Sequence, residues 1–199
     1  PIGVLAAVYL QEYAKQGRLV RIIRYSTEAL AGIPSIVYGL FGAAFFVTTL
    51  KFGYSLIAGS LTLAIIILPV IIRTTEEALK VVPPSYREAS LGLGATRFQT
   101  LYKVILPSAI PGILSGVILS MGRVIGESAA ILLTAGTVAK MPLTVFDSAR
   151  TLTVHAYLLT KETGDIQTAC GVGIVLIVIV FGLNTIAKLV AKRLNKANY

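Results

Sequence analysis

Four long runs without a charged residue dominate the chain, at residues 29–50, 52–72, 104–122 and 166–187. A helix needs roughly 20 apolar residues to cross the hydrocarbon core of a bilayer, and each run reaches or approaches that length. Hydrophobic residues make up 55% of the 199 residues and charged residues only 14%. We therefore expect an all-α, polytopic membrane protein.

The runs predict one transmembrane domain with complete spans at residues 29–50, 52–73, 108–138 and 166–188. The polar stretch at 74–107 becomes a cytoplasmic loop and the stretch at 139–165 an extracytoplasmic segment. The first ten residues are apolar but too few to cross a bilayer, and no basic leader precedes them. We expect residues 1–10 to be the end of a further, partial span.

The net charge of +9 is explained by topology rather than by nucleic-acid binding. If the spans alternate, thirteen of the 18 basic residues lie on one side of the membrane, and the positive-inside rule makes that side the cytoplasm. These residues form three patches: Lys15, Arg18, Arg21 and Arg24; Arg73, Lys80, Arg87, Arg97 and Lys103; and Lys188, Lys192, Arg193 and Lys196.

No motif for catalysis, nucleotide binding or metal binding occurs in the sequence. The patterns GxxxxGK[ST], GxSxG, HExxH and CxxC are all absent. Cys170 is the only cysteine, so no intrachain disulfide can form, and His155 is the only histidine, without a ligand cluster around it. We predict no catalytic residue, no metal site and no cofactor in this chain.

The polar stretch between residues 85 and 107 predicts two short helices joined rigidly at an angle, which we call the elbow. Ser85-x-x-Glu88 and Thr96-x-x-Gln99 have the form of capping boxes that start helices, and Gly92 and Gly94 suit the end of the first. The second helix is expected to run to Leu106 and Pro107. The residues expected on the surface of the elbow are Tyr86, Ala89, Phe98 and Leu101.

Such a surface suits a soluble partner that offers an apolar groove. The alternative is that the stretch only connects two spans and that Glu88 is only a helix cap.

Other patterns predict how the helices bend and pack. Residues 11–28 suit either a helix in the plane of the lipid headgroups or a plain basic loop. Pro34 should bend the span at 29–50, and a short helix is expected around residues 144–159. Small residues at fourfold spacing indicate close helix approach. These stripes are Ser35, Gly39 and Ala43; Gly112, Gly116 and Ser120; and Gly122, Gly126 and Ala130.

Two charges lie inside the predicted span at 108–138. Arg123 follows Pro107 by 16 residues, which places it about 24 Å along the helix. Glu127 is four residues further on the same predicted face, so the two can pair and offset part of the insertion cost. Either the pair locks helices together, or Arg123 offers its planar guanidinium to an oxyanion. Arg73 either lines the cytoplasmic mouth of the pathway that such an oxyanion would follow, or anchors its helix at the lipid headgroups.

Residues 88–107 resemble the EAA motif of binding-protein-dependent ABC import permeases. The matching positions are Glu88-Ala89-Ser90, Gly94 and Val104-x-Leu106-Pro107, with Ser90 in place of the second alanine. Residues 32–42, 70–95, 122–136 and 141–146 resemble phosphate-specific permeases of the PstA type. The resemblance implies a type I importer (MetI-like) helical core that lacks its first transmembrane helix.

The resemblance also implies a machine with several partners in a bacterial or archaeal plasma membrane. These are a second permease of the PstC type, two copies of a cytoplasmic ATPase that uses ATP and Mg²⁺, an extracytoplasmic phosphate-binding protein and membrane lipid. The alternatives are another oxyanion such as sulfate, molybdate or phosphonate, an ion-coupled carrier that needs no ATPase, and a membrane scaffold for phosphate signalling.

Phosphate and sulfate differ in protonation. Phosphate keeps a proton at neutral pH whereas sulfate does not, so Glu127, if it parts from Arg123, could accept a hydrogen bond that only phosphate supplies.

Overall fold

The computed structural model describes the backbone of residues 1–196 and their side chains except those at positions 190 and 192–196. The described residues form helices and no strand, which confirms the all-α prediction. Of the third basic patch, Lys192, Arg193 and Lys196 lie outside the described side chains. The helices are α1 (Ile2–Val8), α2 (Arg18–Ala31), α3 (Ser35–Gly42), α4 (Leu56–Val81), α5 (Pro84–Gly92), α6 (Arg97–Thr100), α7 (Leu106–Gly126), α8 (Ala129–Thr134), α9 (Leu152–Leu158) and α10 (Ile166–Lys196).

Four of these helices continue into a wider π-helical turn. The turns are Tyr9–Tyr13 after α1, Ala43–Thr49 after α3, Leu101–Ile105 after α6 and Leu159–Thr163 after α9. The third of them joins α6 directly to α7, so that one helix of 30 residues runs from Arg97 to Gly126.

Three helices in the described part are long and apolar enough to cross a membrane. They are α4, the continuous helix Arg97–Gly126 and the stretch Ile166–Leu189 of α10, with mean hydropathies of 2.3, 2.0 and 2.5. α2 and the helix Ser35–Thr49 add a fourth only if they count together as one broken span.

A single helix, α10, covers the predicted span at 166–188, but the bounds of the others differ. α4 begins four residues after the predicted start at 52 and continues to Val81, so the loop predicted at 74–107 is partly helix. The run at 29–50 is interrupted because the chain leaves helical geometry at Pro34 (φ −58°, ψ 137°). This residue therefore breaks the helix completely instead of bending it.

The prediction that the second elbow helix stops at Leu106 and Pro107 was wrong. The N–H of Leu106 donates to the carbonyl of Leu101, five residues back, so the turn before Pro107 is wider than an α-turn. A wider turn gives the proline ring room that a regular α-turn denies it, and the helix continues through both Pro107 and Pro111. The predicted span at 108–138 was also wrong at its far end, since the helix ends at Gly126.

The chain divides into two compact units. The first contains Pro1–Ala31, Leu68–Ser120 and the part of α10 from Ile186. Its core is a cluster of buried side chains from the end of α4 and from the helix that starts at Arg97: Leu79, Val82, Leu101, Ile105 and Ala109. This cluster fixes the elbow's second helix against the end of α4.

Glycines of α7 in the first unit lie directly against α4, as predicted from their spacing. A Cβ added to Gly112 would lie 2.6 Å from the Cβ of Ala78, and one added to Gly116 would lie 2.7 Å from the Cβ of Thr74. No real Cβ tolerates such distances, so the two helices touch through these positions.

The second unit contains Gly32–Ile67 and Met121–Thr185. Ile131, Ala135, Val154 and Leu158 form one buried cluster, and Tyr38, Ile66 and Ala130 form another. A Cβ on Gly39 would lie 2.8 Å from the Cα of Ala130, which confirms the stripe predicted on α3.

The prediction that Gly122, Gly126 and Ala130 form one face for close helix approach was wrong. Among the described residues, nothing lies within 4 Å of a Cβ at Gly122 or Gly126, and Ala130 belongs to a different helix, α8.

The two remaining local predictions were partly correct. Residues 18–31 form α2, so the helical alternative for residues 11–28 holds there and the plain loop does not. The helix expected around 144–159 begins only at Leu152, where Thr151 caps it by accepting from the N–H of Val154. The preceding residues form turns held by Asp147, which accepts from the N–H groups of Leu143 and Thr144.

Candidate coupling surface and candidate anion site

The first helix of the elbow begins differently from the prediction. α5 starts at Pro84, the residue before it (Pro83) acts as N-cap, and no side chain caps the helix, so the capping box at Ser85 and Glu88 does not form. Proline suits the first helical position because it has no N–H to satisfy and its φ is already helical. Glu88 is exposed and makes no hydrogen bond or ion pair within the described part of the chain.

The joint of the elbow follows the prediction closely. α5 ends at Gly92, and Gly94 has φ +84°, the left-handed region that favours glycine. The capping box at Thr96 and Gln99 is confirmed: the N–H of Gln99 donates to the Thr96 hydroxyl at 3.2 Å and the N–H of Thr96 donates to Gln99 Oε1 at 2.8 Å. Ser90, the departure from the EAA pattern, has its hydroxyl 2.9 Å from that of Thr100. This contact ties the two elbow helices together.

Arg87 attaches the elbow to the rest of the first unit. Its Nη2 and Nε donate to the two carboxylate oxygens of Glu12 at 2.6 and 3.3 Å. Its guanidinium also donates to the backbone carbonyls of Leu79 and Val82, both at 3.1 Å. These carbonyls lie at the end of α4, where helix carbonyls have no partner within the helix.

The outer surface of the elbow is apolar and aromatic. Tyr86 is 48% exposed and Phe98 66% exposed, and the ring of Phe98 stacks on that of Tyr102 with centroids 6.3 Å apart. Ala89 is exposed as predicted. Large exposed apolar side chains on a polar segment mark an interaction surface. Further exposed residues of this surface are Leu91 and Leu93.

The expected exposure of Leu101 was wrong. This side chain is only 8% exposed and packs with Leu79, Val82 and Ile105. It lies at the start of the π-helical turn, and its packing against the end of α4 holds the second elbow helix in place. Leu106 and Pro107 are half-buried, and Pro107 lines a groove of about 590 Å³ between the end of α4 and the start of α7.

Arg123 and Glu127 do not form the predicted ion pair. α7 ends at Gly126, so Glu127 no longer follows Arg123 by one helical turn. Glu127 is buried, its Oε1 accepts from the N–H of Ala130 at 3.2 Å at the start of α8, and its carbonyl accepts from the Thr153 hydroxyl at 2.9 Å. In residues 1–196, no ion pair joins the two side chains.

Arg123 makes no ion pair within the described residues. It is half-buried and lies within electrostatic range of the Tyr38 hydroxyl. The chain thus places a guanidinium on the last turn of α7 and a buried carboxylate in the break that follows, with the carboxylate held by the N–H of Ala130.

Arg73 belongs to the first unit and is paired with two carboxylates. Its Nη1 lies 3.1 Å from Glu28 and its Nε 3.2 Å from Glu77, with its side chain 52% exposed. The hydroxyl of the neighbouring Thr74 donates to the Val70 carbonyl, and Thr75 is buried. This environment favours the anchoring alternative over the lining of a pathway.

Sequence reasoning missed two ion pairs of the first unit. Arg24 donates to Glu76 at 2.9 Å, and Arg87 binds Glu12. Their partners are 52 and 75 residues apart in sequence, so no local spacing reveals them. Glu76 gave a weak signal, because an acidic residue that continues an apolar helix needs a partner when it is buried.

The described residues contain no group of three His, Cys, Asp or Glu side chains that could hold a metal ion.

A model of the family "Binding-protein-dependent transport system inner membrane component" matches residues 1–197. The chain therefore belongs to this family of multi-pass inner-membrane transport proteins, as the EAA pattern predicted.

Individual relatives include phosphate permeases. The chain is 42% identical over 175 residues to "Probable ABC transporter permease protein YqgI" of Bacillus subtilis (strain 168), covering 81% of this chain and 60% of the relative. It is 39% identical over 187 residues to "Phosphate transport system permease protein PstA" of Mycobacterium leprae (strain TN), covering 92% and 61%. The predicted resemblance to PstA-type permeases is thus confirmed. The chain spans about three fifths of the length of these relatives.

Solved structures support the predicted MetI-like fold. The chain superposes on a permease chain of the inward-facing MetNI methionine ABC transporter with a TM-score of 0.80 and 23% identity, covering 97% of this chain and 86% of that one. A bacterial ABC transporter that imports alginate gives a TM-score of 0.68 at 16% identity, covering 97% and 72%. At these identities the likeness concerns the fold alone.

Proposed function

We propose that this chain is the membrane-embedded part of an ATP-driven, binding-protein-dependent phosphate import permease. The observation that carries the proposal is the elbow: a rigid, apolar projection with the EAA pattern, in a chain similar to PstA proteins. Such a projection is suited to receive force from a separate protein. The chain itself is proposed to be non-catalytic.

The partner at the elbow is proposed to be an ABC ATPase, present in two copies in the whole machine. Tyr86, Glu88, Ala89 and Phe98 lie exposed on the elbow, so they are positioned to enter a groove of that partner. ATP and Mg²⁺ bind to the ATPase, since this sequence lacks a phosphate-binding loop. Leu101, Leu106, Pro107 and Gly94 serve the coupling indirectly, because they shape and hold the elbow.

The proposed anion site is at the break between α7 and α8. Arg123 has no carboxylate partner within the described residues, so its planar fork can bind two oxygens of phosphate. Glu127 Oε1 is used by the N–H of Ala130, whereas Oε2 makes no hydrogen bond in the described part. That oxygen can accept a hydrogen bond from the P–O–H group that phosphate carries and sulfate lacks, which gives a basis for discrimination.

Arg73 has a smaller part in the proposal. It would have to leave Glu28 and Glu77 before it could meet an anion. We assign it to the cytoplasmic end of α4 as an anchor, with contact to substrate only in a state where both carboxylates have moved.

We propose the remaining partners from the likeness to the family. A second permease of the PstC type would complete the pathway, and an extracytoplasmic phosphate-binding protein would deliver the cargo to the side that carries residues 139–165. Lipid surrounds the helices, and no nucleic acid is involved.

Reconstitution of the full-length protein tests this function. It would be purified with its co-expressed ATPase and second permease, placed in proteoliposomes with the binding protein inside or outside, and assayed with labelled phosphate, sulfate, molybdate and phosphonate. ATP-dependent uptake of phosphate, with little uptake of sulfate, is expected. Uptake driven by an ion gradient without ATP would support the carrier alternative and contradict the proposal.

A separate experiment addresses signalling. In cells, retention of phosphate-dependent signalling after Arg123→Gln, with uptake lost, would mean that the chain is also a scaffold for signalling.

A further inference from the structure

Residues 10–16, which follow α1, are held by two arginines from different helices. Arg24 of α2 donates to the Leu10 carbonyl at 3.4 Å, to Gln11 Oε1 at 3.0 Å and to Gln16 Oε1 at 3.0 Å. Arg87 of α5 binds both carboxylate oxygens of Glu12. Residues 10–16 are therefore a junction at which the elbow and α2 meet.

The contacts at this junction are a large part of what holds α5 in place. No side chain of α5 is fully buried, so apolar packing holds it weakly. Its side-chain ties within the described residues are polar: Arg87 to Glu12 and to the end of α4, and Ser90 to Thr100. A force applied to α5 passes through these contacts as well as through the backbone that joins α5 to α4 and α6.

The bond to Glu12 is suited to carrying such a force. The pair is bidentate, and its side chains are only 25% and 17% exposed, so water competes less for it than for a surface pair. Glu12 lies in the π-helical turn Tyr9–Tyr13, which continues α1 without a break. α1 in turn contacts α4, since a Cβ on Gly3 would lie 2.9 Å from Cγ2 of Ile71.

We propose that the Glu12–Arg87 pair is a positioning element that transmits movement of the elbow to helix α1, and through α1 to α4. The proposal rests on the proposed function, because it needs an ATPase that moves the elbow. It adds a second route beside the continuous helix from Arg97. With the pair broken, the ATPase would still dock and hydrolyse ATP. Part of the elbow's movement would then no longer be transmitted to α1 and α4.

The experiment compares Glu12→Gln with wild type in the complete, reconstituted transporter. Uptake of labelled phosphate and ATP hydrolysis are measured in the same proteoliposomes, and the ATPase that co-purifies is quantified. We expect uptake per ATP hydrolysed to fall about 3- to 30-fold, the size of coupling effects at such positions. Basal hydrolysis and the amount of bound ATPase should not change.

Two further variants complete the test. Lys15→Gln removes an exposed charge three residues from Glu12 and should leave uptake per ATP unchanged. Arg87→Lys keeps the charge but loses the planar fork, so it should give an intermediate ratio. Its thermal unfolding is recorded to show that the fold is intact.

Other outcomes would overturn the inference. An unchanged ratio in Glu12→Gln would mean that the pair transmits nothing. Loss of the ATPase, or an equal fall in uptake and hydrolysis, would mean that the pair only supports the fold. If wild type itself shows no ATP-dependent uptake, the proposed function fails instead, so the two failures are distinguishable.

Discussion

Arg73 and Arg123 both place a guanidinium on a long helix, but their surroundings differ. Arg73 is bound by Glu28 and Glu77, whereas Arg123 has no ion pair in the described part of the chain and lies within electrostatic range of Tyr38. The sequence alone treated both as candidates for the anion pathway. The structure separates a neutralised arginine from one that remains available.

Arg123→Gln is expected to lower phosphate uptake by about 10- to 100-fold, because it removes charge-assisted hydrogen bonds to the anion. Arg73→Gln should lower uptake by no more than about threefold, since its partners are exposed surface carboxylates. Uptake of labelled phosphate, normalised to ATPase bound, measures both. Equal losses in the two variants would contradict the assignment.

Gly94 and Gly92 offer a matched pair of substitutions at the elbow joint. Gly94 has φ +84°, where a Cβ is strained, while Gly92 is helical, and neither has an atom within 4 Å of an added Cβ. Gly94→Ala should destabilise the joint by about 1–2 kcal/mol and weaken ATPase binding, whereas Gly92→Ala should not. Co-purification of the ATPase reports the difference. Gly94→Asn should be milder, since asparagine tolerates this conformation, and weak binding by both Gly94 variants would point to a cause other than backbone strain.

At the level of elements, the best predictions came from patterns that act locally. The Thr96–Gln99 capping box and the left-handed Gly94 depend on residues within one turn, so the sequence specifies them. The capping box at Ser85 failed because Pro84 took the first helical position. The helix boundary at Pro107 failed because a π-helical turn, which leaves no signature in composition, accommodates the proline.

Gly116→Ala should destabilise the protein by about 1–3 kcal/mol, the usual cost of inserting an atom into a packed interface. The added Cβ would collide with Thr74, whose Cβ would be 2.7 Å away. Gly122→Ala is the control in the same helix, since it meets nothing within 4 Å, and it should be neutral or slightly stabilising. Thermal unfolding in detergent compares them. A similar melting temperature for both would show that α4 and α7 do not touch at Gly116.

The turn before α9 should depend on pH. The N–H groups of Thr144 and Leu143 hold the pKa of Asp147 below its usual value, because they bind the charged carboxylate. The stabilisation is therefore present above the ordinary pKa of about 4 and is lost as pH falls through the lower, folded value. Asp147→Asn should speed hydrogen exchange of the Leu143 and Thr144 amides at neutral pH. If exchange in wild type and variant is equal, Asp147 does not order this turn.

For the whole molecule, the sequence predicted the class of protein but not the contacts between distant segments. Long apolar runs identify membrane helices because length and hydropathy are local properties. The Arg87–Glu12 and Arg24–Glu76 pairs join residues far apart in the chain, so only the folded chain reveals them. The Arg123–Glu127 pair was predicted from helical spacing and failed, because the helix ends between the two residues.

The assembly as a whole should depend on the aromatic surface of the elbow. Replacing both Phe98 and Tyr102 by alanine removes a stacked, exposed pair and should weaken ATPase binding by about tenfold or more, as for aromatic hot spots elsewhere. Tyr157→Ala removes an exposed aromatic residue outside the elbow and serves as the control. Affinity for the purified ATPase measures the effect. Unchanged affinity in the double variant would place the ATPase on another surface.

The unbroken helix that starts at Arg97 also limits which insertions and deletions the sequence can tolerate. Each residue turns an α-helix by about 100°, so deletion of one residue between Thr100 and Gly112 would swing the glycine face away from Ala78 and Thr74. Amino-acid replacements in this stretch can be absorbed one at a time, but insertions and deletions cannot, and we expect alignments of functional sequences to be free of gaps here.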